Sequence, residues 1–232
     1  MPERGTLIIT ADDYGYAPGY DNGIVEAATA RAVDSVSVMV TRGRLDPGPL
    51  LQTGVEVGLH LELSRELTED GTAGPSAREA AVRELDEQLG AFQGAMGRAP
   101  AYLDGHRHCH AHAGLAPAIA REAARHGLPV RSIDAGHRRI LRRAGVATPD
   151  RLIGRYSEEP DGALPVELEA VVDRDGALPQ GITEWMVHPG HRDPQSGSGY
   201  DQAREEDLDL LLSLCLLPAL ASARRTHAAA FR

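Results

Sequence analysis

Four short segments of this sequence place acidic or imidazole groups directly after an apolar, β-rich run. They are Asp12-Asp13 after Leu7 to Thr10, His60 after Val55 to Leu59, Asp104 to His110 after Tyr102-Leu103, and His188 after Trp185 to Val187. Carboxylate and imidazole together make a mixed oxygen and nitrogen donor set for a metal ion, and the same groups serve as acids and bases in hydrolysis. Two adjacent aspartates repel one another when buried, so a cation or a proton must neutralise one of them. Taken alone the pair reads as a helix cap; taken with the other three segments it reads as part of a metal site.

In Asp104-Gly105-His106-Arg107-His108-Cys109-His110, positions 104, 106, 108 and 110 share one face if the strand continues, with Arg107 and Cys109 pointing away. One imidazole there can bind metal while a neighbour orients or protonates. His112 falls past the expected strand and reads as outside the ligand set. His60 lies in Gly58-Leu59-His60-Leu61, an apolar context that suits a core histidine as well as a ligand. His188 ends a strand at Pro189-Gly190, a rigid placement that suits a general acid. At this level either aspartate and any of three histidines satisfy the pattern. A carboxylate and two imidazoles leave coordination positions open, and the set is compatible with Zn²⁺, Co²⁺, Ni²⁺, Mn²⁺ or Mg²⁺. Non-haem Fe(II) oxygenases use the same set, but the second carboxylate and the fourth histidine favour hydrolysis. A protein that only stores or senses the ion is the reading from another class.

The elements that must position these groups alternate. Strand-like runs at Leu7 to Thr10, Ser35 to Val40 and Val55 to Leu63 alternate with helical stretches such as Asp21 to Ala32, a rhythm that predicts βαβ units and a parallel sheet. Strand C-terminal ends then converge on one rim, where active sites form. The clearest helix is expected from Ser76, with a capping box to Glu79, and carries Val82, Leu85, Leu89, Phe92 and Met96 at 3-4-3-4 spacing. Ala101 to Asp104 reads as a strand, Leu115 to His126 as a helix stopped by Gly127, and Pro129 to Ser132 as a short strand. Ala135 to Gly162 has no clean period, Pro165 to Val172 looks helical, Ile182 to Val187 reads as a strand and Arg192 to Tyr200 as a surface loop.

A length of 232 residues suits one large α/β domain, residues 1–232, and a formal charge of −10 argues against nucleic acid or an anionic membrane as partner. A neutral or cationic small molecule fits better, and a homo-oligomer such as a homodimer is compatible with the sequence. The basic residues are all arginine, which removes any Schiff-base lysine chemistry. Cys109 and Cys215 make no disulfide framework, Met1 leads straight into the first strand, and a cytoplasmic protein is expected. Leu208 to Ala221 is interrupted by Asp209, Ser213 and Pro218 and reads as a packed C-terminal helix rather than a membrane span. Aromatic content of 4% favours a short substrate, with Tyr14, Tyr16 and Trp185 as candidate pocket walls.

The motifs Ala11-Asp12-Asp13-Tyr14-Gly15, Asn22-Gly23-Ile24, Gly58-Leu59-His60-Leu61, Asp104 to His110 and His188-Pro189-Gly190 come in an order and spacing that resemble the YdjC-like carbohydrate deacetylases, themselves distantly similar to NodB-type polysaccharide deacetylases. The resemblance implies an α/β fold, a single-domain, distorted (β/α) TIM-like barrel, and hydrolysis of an N-acetyl group from an amino sugar with one divalent ion, magnesium or zinc foremost. Carried over by position, it implies Asp13, His60 and His106 as metal ligands, Asp12 as base and His188 as acid. Asp104, His108, His110, Tyr14 and Trp185 are expected to steady the ligands or meet the substrate. The alternative within enzymes is a metal-dependent hydrolase of another amide or ester.

Overall fold

The computed structural model describes residues 5–68, 74–154, 178–214 and 223–231. Its six strands are β1 (Thr6–Tyr14), β2 (Ser35–Val38), β3 (Glu56–Leu61), β4 (Leu103–Gly105), β5 (Arg151–Ile153) and β6 (Ile182–Val187). They pair in the order β4-β3-β2-β1-β6-β5, every pair parallel. Among the described residues nothing pairs β4 with β5, so the expected barrel is an open, curled half-barrel. β1 is central and buried from Leu7 to Tyr14, which explains its near-continuous apolar start.

The helices are α1 (Pro18–Thr29), α2 (Pro47–Thr53), α3 (Arg65–Thr68), α4 (Pro75–Met96), α5 (Ala116–Arg125), α6 (Ala135–Arg143), α7 (Asp201–Leu214) and α8 (His227–Ala230). In α4, Leu85, Leu89, Phe92 and Met96 are buried as the spacing predicts, and Val82 is half-buried. The capping box is not formed. Gly74 is the N-cap and Pro75 opens the helix, because proline lacks the N–H that a cap would satisfy and already has helical φ.

Three other expectations change. The stretch after Ala135 holds a helix and a strand: Asp134 caps α6 by accepting from His137 N at 2.7 Å, and β5 follows. Only His137 and Leu141 of α6 are buried, so its arginines leave no apolar period to read. Pro129 to Ser132 contributes a single bridge, Val130 to Leu103, rather than a strand. The C-terminal helix α7 begins at Asp201, well before Leu208, while Cys215 and the expected helix at Pro165 to Val172 lie outside the described residues. No helix among the described residues is long and apolar enough to cross a membrane.

Candidate metal centre

The four chemical segments end at the same edge of the sheet. Asp12 and Asp13 close β1, His60 is the penultimate residue of β3, Asp104 lies in β4, and His188 follows β6 directly. Adjacent residues of a regular strand face opposite sides. Here the β1–β2 register shifts between Ala11 and Tyr14, and Asp13 takes φ 74°, in the left-handed region that non-glycine residues rarely occupy. This bulge lets Asp12 and Asp13 line one cavity of about 320 Å³ together with His60, His106, His108 and His188.

Asp104 organises the ligand side. Its Oδ1 lies 2.7 Å from His60 Nδ1, and its Oδ2 accepts from Ser37 Oγ at 2.6 Å and pairs with Arg131 Nη2 at 2.9 Å. With Nδ1 engaged by Asp104, His60 turns Nε2 toward Asp13 Oδ1 at 3.1 Å. His106 Nδ1 approaches the same oxygen at 3.0 Å. Two imidazole nitrogens and a carboxylate oxygen that converge this way are bridged either by protons or by a cation. Burial opposes a charged His60, yet Asp104 and Asp12 beside it raise its pKa to about 10. One donor atom from each of Asp13, His60 and His106 lies within 4.8 Å of the others, so these three residues fit a divalent ion.

Asp12, His60 and Asp104 form a second such group, but a cation already holds it. Arg131 Nη1 donates to Asp12 Oδ2 at 2.6 Å and Nη2 to Asp12 Oδ1 at 2.8 Å, while Nε reaches Glu184 Oε1 at 3.0 Å. Burial pushes the Asp12 pKa up, but Arg131 foremost, with His60, brings it below the ordinary carboxylate value. Asp13 is also held well below that value, against burial, by Arg204 and its histidine neighbours. Arg204 Nη2 meets only one Asp13 oxygen, Oδ2, at 2.5 Å.

His188 is fixed through its backbone. Its N–H donates to Asp207 Oδ2 at 2.9 Å, and the next turn residue, Gly190, donates to Arg204 O at 3.1 Å. α1 crosses this turn at Gly23, where a Cβ would sit 2.5 Å from Gly190 Cα, so only glycine permits the approach. Burial pushes the His188 pKa down to about 4, against the pull of Asp13 and Asp12, leaving a neutral imidazole at neutral pH. His108 is pushed down to about 4 for the same reason.

The alternating face expected from Asp104 to His110 does not form. The chain leaves β4 at Gly105 and tightens into a 3-10 turn over His106–Ala111, with Arg107 at φ 49° and His108 at φ 56°. His106 and His108 therefore stay at the cavity, whereas His110 is buried away from it, its Nε2 3.1 Å from Arg131 O and its ring 5.3 Å from His137. Trp185 is not a pocket wall either. Along β6, Glu184 reaches Arg131 and Met186 lines the cavity, so Trp185 faces the opposite side and packs fully buried in the apolar core. Tyr14 is tied down by its hydroxyl, which donates to Asp46 O at 2.6 Å, and does not line the cavity. Among the described residues the tyrosines that line it are Tyr16 and Tyr200. A neighbouring cavity of about 580 Å³ shares Tyr16, His106, Arg107 and His108 with the first and extends the cleft.

Reading the sequence residue by residue did not find Arg131, Arg204, Glu184 or Tyr200. For Arg131 and Glu184 a signal existed, since each is a charged residue inside a run expected to be a buried strand. Arg204 sits in a polar helix start that looks like solvated surface.

The chain is 31% identical over 240 residues to a chitooligosaccharide deacetylase of Enterobacter sp. (strain 638), covering 93% of this chain and 94% of the relative. It is 30% identical over 236 residues to a carbohydrate deacetylase of Geobacillus stearothermophilus, covering 92% of each. A solved structure from Enterococcus faecalis V583, described as a candidate cellobiose-phosphate cleavage protein, superposes with a TM-score of 0.78 at 23% identity over 99% of this chain and 100% of that one, which shows the shared fold. The description of the YdjC-like protein family matches residues 6–222, and the chain belongs to that family.

Proposed function

We propose that this chain is a metal-dependent carbohydrate deacetylase that removes N-acetyl groups from a short amino sugar or oligosaccharide and releases acetate. The observation that carries this reading is the convergence of Asp13, His60 and His106 on one point of a cavity that also holds Asp12, clamped by Arg131. The similarity to chitooligosaccharide and carbohydrate deacetylases along more than nine-tenths of the chain supports the substrate class.

Asp13, His60 and His106 would hold one divalent ion, magnesium or zinc before cobalt, nickel or manganese. When bound, it supplies Lewis acidity toward the acetyl carbonyl and the attacking water. Asp104 keeps the His60 ring oriented for this duty, and Ser37 and Arg131 keep Asp104 in place. Asp12 is the base. Arg131 keeps it ionised, and its low proton affinity means that it holds the water proton only in passing. His188 is neutral, so it does not arrive as a charged acid. It takes up the water proton that Asp12 holds in passing and gives it to the departing sugar nitrogen, which balances the hydrolysis to acetate and a free amine. Tyr16 and Tyr200 line the cavity, and so few aromatic residues favour a short glycan.

The test is acetate release from N-acetylated chitooligosaccharides of increasing length by protein stripped with a chelator and reloaded with Mg²⁺ or Zn²⁺. Metal-dependent acetate release supports the reading. No release from any sugar, alongside cleavage of a simple amide or ester, would make the chain a different metal hydrolase.

A further inference from the structure

Arg204 has unusual surroundings for an arginine. It projects from α7, is 3% exposed, and spends one guanidinium nitrogen on Asp13. Its Nε and Nη1 are buried without a hydrogen-bond partner among the described residues. An arginine kept only for packing would not need to bury two unsatisfied donors. What fixes it is shape. Its Cζ lies 4.0 Å from the Tyr20 ring centroid, its carbonyl accepts from Gly190 N at 3.1 Å, and its Cβ packs 3.4 Å from where a Gly190 Cβ would stand. Tyr20 is itself held by Ser196 at 2.7 Å and Asp201 at 3.1 Å.

The consequence falls on Asp13. Its two oxygens are divided: Oδ2 belongs to Arg204 at 2.5 Å, and Oδ1 faces His60 Nε2 at 3.1 Å and His106 Nδ1 at 3.0 Å. We infer that Arg204 is a positioning residue that restricts Asp13 to one-oxygen coordination and so selects among divalent ions. This rests on the reading of Asp13, His60 and His106 as the metal-holding set. A guanidinium on one oxygen takes one of its lone pairs and crowds the approach to it, which disfavours chelation through both. Small ions that accept four to six single donors, such as Zn²⁺, Co²⁺ and Mg²⁺, lose little by this. Ca²⁺, which takes six to eight oxygens and commonly a two-oxygen carboxylate, loses more. The guanidinium charge also makes Asp13 a weaker donor, which discriminates further against an ion bound mainly by charge.

The experiment is calorimetric titration of the full chain with Co²⁺ and Ca²⁺, for the natural protein and for Arg204→Met, Arg204→Gln and Arg204→Lys, with the Co²⁺ visible spectrum recorded beside it. The ratio of the Ca²⁺ to the Co²⁺ dissociation constant is expected to fall by about tenfold or more in Arg204→Met and Arg204→Gln. The Co²⁺ bands should weaken as coordination number rises. Arg204→Lys, which keeps a charge near Oδ2 but loses the planar fork, should lower the ratio by a smaller factor; if the neutral variants do not fold, an unchanged ratio in Arg204→Lys overturns the role instead. An unchanged ratio and spectrum in folded neutral variants overturns the role of Arg204 while leaving the metal site intact. If the natural protein binds neither ion, or binds Co²⁺ as well after Asp13→Asn as before, the metal-site reading itself fails and the inference falls with it.

Discussion

Arg131 and Asp12 face each other through two parallel hydrogen bonds, 2.6 and 2.8 Å long, with at most 1% of either residue exposed. The same guanidinium also meets Asp104 at 2.9 Å and Glu184 at 3.0 Å, so one cation from the segment after α5 ties together carboxylates of β1, β4 and β6. Such a fork needs a planar, multiply donating group, which lysine cannot replace.

Removing Arg131 would leave three buried carboxylates without their shared partner. Arg131→Met should cost about 3–5 kcal/mol of stability, the range for breaking a buried ion pair from one side. Urea unfolding measures it. The cost should shrink when Glu184→Gln is added, because residues of one network are not additive. Equal midpoints for Arg131→Met and the natural protein would show that the network does not hold the fold.

Asp12→Asn keeps the shape and one acceptor oxygen but cannot take a proton. Acetate release should fall by about 10²- to 10⁴-fold, the usual contribution of a general base. Metal content, read by elemental analysis, should stay near that of the natural protein, because the proposed ligand set is Asp13, His60 and His106. Loss of the metal together with activity would move Asp12 into the ligand set.

Metal binding should also register without turnover. An ion that binds only the folded chain stabilises it, by about 2.7 kcal/mol at a free concentration one hundred times its dissociation constant. The melting temperature of the chelator-treated protein should therefore rise on addition of Zn²⁺ or Mg²⁺. Asp13→Asn should abolish most of that rise, whereas His110→Gln should leave it untouched, since His110 lies outside the cavity. A rise retained in Asp13→Asn would place the ion elsewhere.

Local pattern was enough for elements whose own residues decide them. Ile182–Val187 reads as a strand from its β-branched and aromatic content, and α4 shows its stripe of Leu85, Leu89, Phe92 and Met96. The convergence of Asp12, Asp13, His60, Asp104 and His188 was also legible, because in a parallel sheet a group after a strand must appear at the same rim. Backbone exceptions were not. Nothing in the residue types announces φ 74° at Asp13 or the left-handed pair Arg107 and His108, and these decide that His106 and not His110 meets Asp13. For Arg131 the local pattern shows only a charge inside an expected strand, and its partners, 119, 27 and 53 positions away, leave no mark there.

The network also reaches the far end of the chain. His227 in α8 stacks on Tyr102 with ring centroids 3.8 Å apart, and its two ring nitrogens each lie 3.4 Å from a glutamate, Glu56 on one side and Glu184 on the other. Burial opposes a charge on His227, but these two glutamates raise its pKa to about 9. Glu184 goes the other way, to about 2, because Arg131 and His227 outweigh its burial. A histidine whose folded pKa lies above its unfolded value of 6.5 stabilises fully below pH 6.5 and loses that contribution as the pH rises through about 9. A glutamate with a depressed pKa stabilises fully above 4.5 and loses it as the pH falls through about 2. The His227–Glu184 contribution is therefore complete between pH 4.5 and 6.5. His227→Gln, which is neutral at every pH, should be most destabilising relative to the natural protein at pH 5.5, and the gap in urea midpoint should narrow steadily toward pH 9.5. A gap of the same size at both pH values would mean that His227 is held by stacking on Tyr102 alone and carries no charge.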